Sequence, residues 1–281
     1  MGMNVMESLK NATVGVIMGI FMMLPGASGA TIAVVFGIYE RLIHDISSIT
    51  KELIRDIRFA LTVAVGMAVG LLICAKGLDF LIEEYEIPLM FFFATLILMQ
   101  IPGIHAQSAD GERVTSYNIL AFVLGFAFMM AVLAMGLFMQ AETASPGIAI
   151  MFFAGIVYAV CAISPGISGS TILLALGIFP MVVAGISDMS FSTLVPLALG
   201  AVVGVLLFSK FIDMCMSKHR KSTYMAILGL TAGSIVTVIV QAMVAGVDGI
   251  VLECVIAAVV GLVLGYGMHL FSRYYSSNME Q

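Results

Sequence analysis

Tryptophan is missing from this 281-residue chain, and charge is scarce: Asp, Glu, Lys and Arg together make up 10% of it. A water-soluble domain carries about 25% charged residues, so the shortage excludes an ordinary hydrated surface. Apolar residues instead reach 61%, with a mean hydropathy of +1.13, which is the composition of a chain whose solvent is lipid. Without Trp, the aromatic belt at the membrane interface falls to Tyr and Phe. No dense basic patch exists, so nucleic acid is not an expected partner. The formal net charge of −5 says little, because membrane topology follows Lys and Arg rather than net charge.

Metal-binding spacing is also absent. Cys74, Cys161, Cys215 and Cys254 lie far apart and read as small apolar helix residues. His44, His219 and His269 look peripheral and have no ligand partner in the sequence, so no metal or cofactor is expected. Asp, Glu, Lys, Arg and His are absent from 11–38, 59–75, 88–104, 118–139, 147–187 and 191–209. A proton relay or Na⁺ site would place a carboxylate inside those segments. The nearest ionisable groups, Glu40, Arg41, Asp79, His105, Asp213 and Glu253, stand at segment ends.

What is present is a duplication. Residues 25–38 read PGASGATIAVVFGI and residues 165–178 read PGISGSTILLALGI, identical at eight of fourteen positions. Gly15 and Gly155 extend the match upstream at the same offset. Downstream, Gly66/Gly200, Gly70/Gly204, Lys76/Lys210 and Asp79/Asp213 align after a six-residue change of register. Apolar composition alone would not align Pro-Gly-x-Ser-Gly-x-Thr. The halves run over 1–140 and 141–281, the kind of internal repeat on which many transporters are built. The repeat also argues against a cleaved signal peptide at the N-terminus, since the same apolar run and small-residue string return deep in the chain.

Each half parses alike. The first has a broken segment at 11–38, an interfacial helix at 40–58, and spans at 59–77, 88–104 and 118–139. The second has a broken segment at 147–180 and spans at 192–210, 223–242 and 250–271. The run from Asn11 to Leu24 would be roughly 21 Å long as a helix, too short for a hydrocarbon core of about 30 Å. Pro25 removes a backbone donor, and Gly26 and Gly29 loosen the chain, so the helix should stop near the midplane.

Basic residues decide whether the chain then crosses or turns back. If both broken segments turn back, one side holds Lys10, Arg41, Lys51, Arg55, Arg58, Arg113, Lys210, Lys218, Arg220, Lys221 and Arg273, and the other holds only Lys76. If both cross, the split is seven to five. The positive-inside rule selects the first arrangement, with the rich side cytoplasmic. The expected fold is therefore an all-α integral membrane protein of two inverted-topology repeats. Each repeat is a re-entrant helical hairpin plus three transmembrane helices, giving six crossings in total and both termini in the cytoplasm. Inversion shows in the same count: connector 41–58 has four basic residues where 181–191 has none, and acidic connector 78–87 has none where 211–222 has three. Within 40–58, Leu42, Ile43, Ile46, Ile49, Leu53, Ile54 and Ile57 recur at helical spacing with charges between them, the pattern of an interfacial helix.

Irregular backbone at membrane depth is tolerated only where protein buries it or it lines a wet cavity. The two Pro-Gly-x-Ser-Gly-x-Thr turns are therefore the candidate site. Ser28 and Ser168 stand where a new half-helix would be capped, with Thr31 and Thr171 one turn on. A half-helix N-terminus presents free N–H groups and a positive dipole end, and Gly26, Gly29, Gly166 and Gly169 admit a close ligand. That chemistry suits an anion, phosphate above all. Arg41 could fold back toward such a phosphate or snorkel to the interface.

The string PGASGATIAVVFGIYERLI, echoed by SPGISGSTILLALGIF, resembles the polyprenyl-phosphate transporter family over nearly the whole chain. The resemblance implies a translocase that returns undecaprenyl phosphate, or a dolichyl-type phosphate in archaea, across the cytoplasmic membrane, recycling the carrier of envelope glycan synthesis. Family features map onto Pro25, Gly26, Ser28, Gly29, Thr31, Tyr39, Glu40 and Arg41, and onto Pro165, Gly166, Ser168, Gly169 and Thr171. The second repeat departs from the pattern at Gly177-Ile178-Phe179-Pro180, so only the first half carries Glu40-Arg41. The implied partners are the polyprenyl phosphate and the bilayer; a homodimer is compatible with the sequence. Two other readings stay open on the residues alone: a membrane polyprenyl-diphosphate phosphatase, which lacks an acid or base at depth here, and a transporter of another small anion.

Overall fold

The computed structural model describes residues 5–27, 29, 32–33, 36–38, 41–42, 57–108, 114–138, 147–163 and 168–279. Among them all regular structure is helical. The helices are α1 (Val5–Met23), α2 (Ile57–Leu98), α3 (Ile101–Ser108), α4 (Ser116–Phe138), α5 (Ile148–Ile163), α6 (Gly169–Ala175), α7 (Phe179–Ser187), α8 (Phe191–Lys218), α9 (Arg220–Ala245) and α10 (Val251–Met279). Five helical runs are long and apolar enough to cross a bilayer, or six if α6 and α7, bent at 118°, count as one span. Most of the interfacial helix expected at 40–58 lies outside the described residues.

Glycine sets the helix pairing within each half. A Cβ added to Gly15 would strike the carbonyl oxygen of Val63 on α2, and one added to Gly155 would strike that of Leu197 on α8. Gly66 faces the Ala12 carbonyl as Gly200 faces that of Phe152, and Gly70 meets Val16 as Gly204 meets Ile156. Each contact in one half recurs in the other at the offsets of the sequence repeat. Small residues let the two backbones touch, and dispersion does what the hydrophobic effect cannot do in lipid.

Pairing between halves is reciprocal. On α2, Phe92 and Thr95 receive Gly261 of α10, and Phe122 on α4 receives Gly229 of α9. The second span of one half therefore packs on the third span of the other, twice over. Where the halves meet, Met23, Leu78, Phe93, Ile97, Leu173, Phe179, Val183 and Val238 form one buried cluster. Phe93 and Phe179 pack edge to face within it, centroids 5.8 Å apart.

The span expected at 59–77 and most of that expected at 88–104 lie in α2, which breaks at Tyr85 (φ −137°, ψ 39°), and the rest of the second continues into α3. Pro88 lies inside α2; it has no N–H for the Glu84 carbonyl, which is reason enough for a break. Helices α8 and α9 are separated by His219 alone, at φ −134°, ψ 40°. Tyr85 and His219 are equivalent positions at the downstream repeat offset, although the residues around them differ. The second break has no proline. There the Thr223 hydroxyl donates to the carbonyls of His219 at 2.9 Å and Cys215 at 3.1 Å, as a second donor beside the backbone N–H groups of Thr223 and His219 that already reach the same two oxygens.

Candidate functional site

In both broken segments a glycine beyond the break packs against the helix before it. After α1 ends at Met23, the chain passes through Pro25 and Gly26 and brings Gly29 against the side chain of Met22 and to 3.2 Å, measured from an added Cβ, of the Met18 carbonyl. In the second half an added Cβ on Gly169 would lie 3.1 Å from the carbonyl oxygen of Tyr158 and 2.8 Å from its ring. Met18 and Tyr158 are repeat equivalents, so the same glycine contact is made twice. Gly29 and Gly169 stand where any side chain would push the two arms apart.

The arms beyond the breaks also end alike. The Ile38 N–H donates to Ala33 O at 2.9 Å, and the Ile178 N–H to Leu173 O at 3.1 Å. Between them sit Gly37 and Gly177, at φ +68° and +73°. This is a glycine-centred helix stop, and the left-handed residue at its heart explains the glycine.

The two motifs touch. The Gly26 N–H donates to the hydroxyl of Thr171 at 3.0 Å, joining the first motif to the second across 145 residues of sequence. Gly26 has φ +88°, a conformation that glycine adopts without penalty. Tyr158 ties the broken segments from the other direction, donating its hydroxyl to the Met22 carbonyl at 3.1 Å. Met22 is in the last turn of α1, where carbonyls have no helical donor. Gln241 reaches the Ala175 carbonyl at the end of α6 at 3.4 Å.

Of the expected site residues, the structure brings Gly26 and Thr171 into direct contact and buries Gly29, Ser168 and Gly169 close by. Ser168 has the extended backbone of an N-cap but makes no side-chain capping bond; its hydroxyl shares a 2.9 Å hydrogen bond with that of Ser170. Ser28, Thr31 and Gly166 lie outside the described residues. Arg41 is elsewhere. Its guanidinium lies 3.9 Å from the Phe59 ring centroid and 3.7 Å from Glu7. Glu7 is at the start of α1 and the turn follows its end, so the two are roughly 24 Å apart along the helix at 1.5 Å per residue.

Sequence reasoning passed over Tyr158, Gln100 and Gln241 because it searched the spans for ionisable groups. An uncharged polar side chain in an apolar run is a weaker signal, though one the sequence does hold: Gln100 stands among Leu96, Ile97, Leu98, Met99 and Ile101.

The fold and the paired motifs define a class, multi-pass helical membrane proteins in which two broken apolar segments meet, here through Gly26 and Thr171. The chain belongs to the VCA0040-like family, described as undecaprenyl phosphate translocase-like, whose model matches residues 18–249. It is 28% identical over 245 residues to the polyprenyl-phosphate transporter of Vibrio cholerae serotype O1, covering 82% of this chain and 77% of that one. A Staphylococcus aureus polyprenyl-phosphate transporter is likewise 28% identical over 240 residues, 81% of this chain and 85% of its own. No solved structure gives a significant match.

Proposed function

We propose that this protein carries a polyprenyl phosphate across the cytoplasmic membrane, returning the lipid carrier for envelope glycan synthesis by alternating access. The observation that carries the reading is the hydrogen bond from Gly26 N–H to the Thr171 hydroxyl. It makes the two signature turns one locus, where one headgroup could be handed between them. Gly26, Ser28, Gly29 and Thr31 on one side and Gly166, Ser168, Gly169 and Thr171 on the other form the phosphate site. A charge alone at the bilayer centre costs roughly 3 kcal/mol or more, and hydroxyls and backbone amides lower that cost while the isoprenoid tail stays in lipid. Arg41, on the basic and hence cytoplasmic side, first meets the headgroup at the interface.

The membrane arrangement is six crossings and two re-entrant hairpins, in inverted repeats over 1–140 and 141–281. Counted through Ala106 the helical run from Ile57 has 50 residues; turning at Tyr85, it gives two parts of about 44 Å and about 32 Å, each long enough for a core of about 30 Å, so it crosses twice. The repeated glycine contacts, the reciprocal span pairing and the matched breaks at Tyr85 and His219 support a two-fold relation between halves. Three crossings per half make that relation an inversion, and inverted repeats supply inward- and outward-facing states of equal design.

Proteoliposomes with fluorescent polyprenyl phosphate in one leaflet test the reading. Movement to the other leaflet is expected from the wild type. Release of inorganic phosphate from a polyprenyl diphosphate without such movement would make the protein a phosphatase, and uptake of a soluble anion in its place would assign another cargo.

A further inference from the structure

Gln100 lies in the two-residue interval between α2 and α3, where its N–H donates to Ile97 O at 3.0 Å and its carbonyl accepts from Ile104 at 3.0 Å. The backbone is thus satisfied, but the side chain is not. Its Nε2 is the one buried side-chain nitrogen or oxygen without a hydrogen-bond partner among the described residues. That nitrogen lies 3.1 Å from the point a Cβ on Gly26 would occupy, with Leu96 packed beside it at 3.0 Å, so the unused donor stands against the glycine whose own N–H holds Thr171. A buried amide donor left unpaired costs about 1–3 kcal/mol, and a site that keeps one is explained when a ligand supplies the acceptor.

We infer that the Gln100 carboxamide is a direct ligand of the lipid phosphate, donating from Nε2 to a phosphoryl oxygen at the Gly26 turn. The inference rests on the carrier reading above and adds a third element to the two signature turns. Gln100 is uncharged, which fits its task. A carrier must release its cargo, and a neutral donor holds a phosphate without fixing it by an ion pair. Gln100 belongs to the second span of the first half, so it connects the headgroup to the helix that packs against α10.

The test uses the full-length protein in detergent and a 55-carbon polyprenyl phosphate, with the matching polyprenol as the phosphate-free probe. Binding is read by native mass spectrometry, and thermal unfolding is followed in parallel. Gln100→Leu is expected to weaken polyprenyl phosphate binding about tenfold or more. Polyprenol binding stays unchanged and the melting temperature holds or rises, because an unpaired donor has been removed. Gln100→Glu, nearly the same shape with a negative charge, is expected to lose the phosphate lipid more completely. Wild-type affinity in Gln100→Leu overturns the inference, while a preference of the wild type for the phosphate lipid over polyprenol leaves the carrier reading standing. No such preference in the wild type overturns both. If Gln100→Leu loses melting temperature together with affinity, Gln100→Glu decides: selective loss of the phosphate lipid supports the ligand role, and equal loss of both lipids overturns it.

Discussion

Thr171 is the residue on which the two halves agree. Its hydroxyl accepts from Gly26 and has a proton left to give, so one atom can both hold the first turn and donate to a phosphoryl oxygen. Thr171→Val keeps the shape and removes both roles; we expect leaflet-to-leaflet transport to fall at least tenfold in proteoliposomes, with Thr171→Ser retaining most of it. Tyr158 is a different case, since its hydroxyl closes the carbonyl of Met22 at the end of α1. Tyr158→Phe should cost about 0.5–1.5 kcal/mol of stability, read as a lowered melting temperature in detergent, and transport per folded molecule should change less than in Thr171→Val. Equal losses in the two variants would make the Thr171 contact structural as well. Arg41 pairs with Glu7 while both are well exposed, an ion pair that adds little stability. Arg41→Ala should therefore slow transport without shifting the melting temperature.

At the scale of helices, the sequence announces which residues are small but not what they touch. Gly66 and Gly200 align in the repeat, and only the packed helices reveal that each abuts the carbonyl of a helix entering the broken segment. Backbone meets backbone there, so no rotamer change can make room for a larger side chain. Gly66→Leu and Gly200→Leu should each destabilise by about 1–3 kcal/mol or more, and the melting temperature in detergent is the check. Gly103, with nothing near an added Cβ, should tolerate Ala with little change. The break at Tyr85 was legible in part, because Pro88 is visible in the sequence. The matching break at His219 falls in the charged connector 211–222 that the sequence also showed, but no proline marks its position, and only the structure places it at one residue.

For the molecule as a whole, the proposed topology puts Tyr85 and His219 on opposite faces of the membrane, although their backbones are nearly superimposable in φ and ψ. Single cysteines at these positions, in a background lacking Cys74, Cys161, Cys215 and Cys254, should react with an impermeant maleimide from opposite sides of sealed vesicles. A cysteine replacing Lys51 should react from the same side as one at His219. Labelling of Tyr85 and His219 positions from one face would remove the inversion and with it the alternating-access scheme.

The sequence by itself determined the lipid solvent, the helical class, the duplication and the family, because each of these is written in composition or in an aligned string. Hydropathy is additive along a chain, and a repeated Pro-Gly-x-Ser-Gly-x-Thr survives as text. Only the tertiary structure decided that the two strings touch, that Tyr158 and Gln100 stand beside them, and that Arg41 is held at the far end of α1. The reason is physical: contacts between residues 26 and 171 depend on how six long helices pack, and packing in lipid is governed by shape at small residues, a property no single position in the sequence carries.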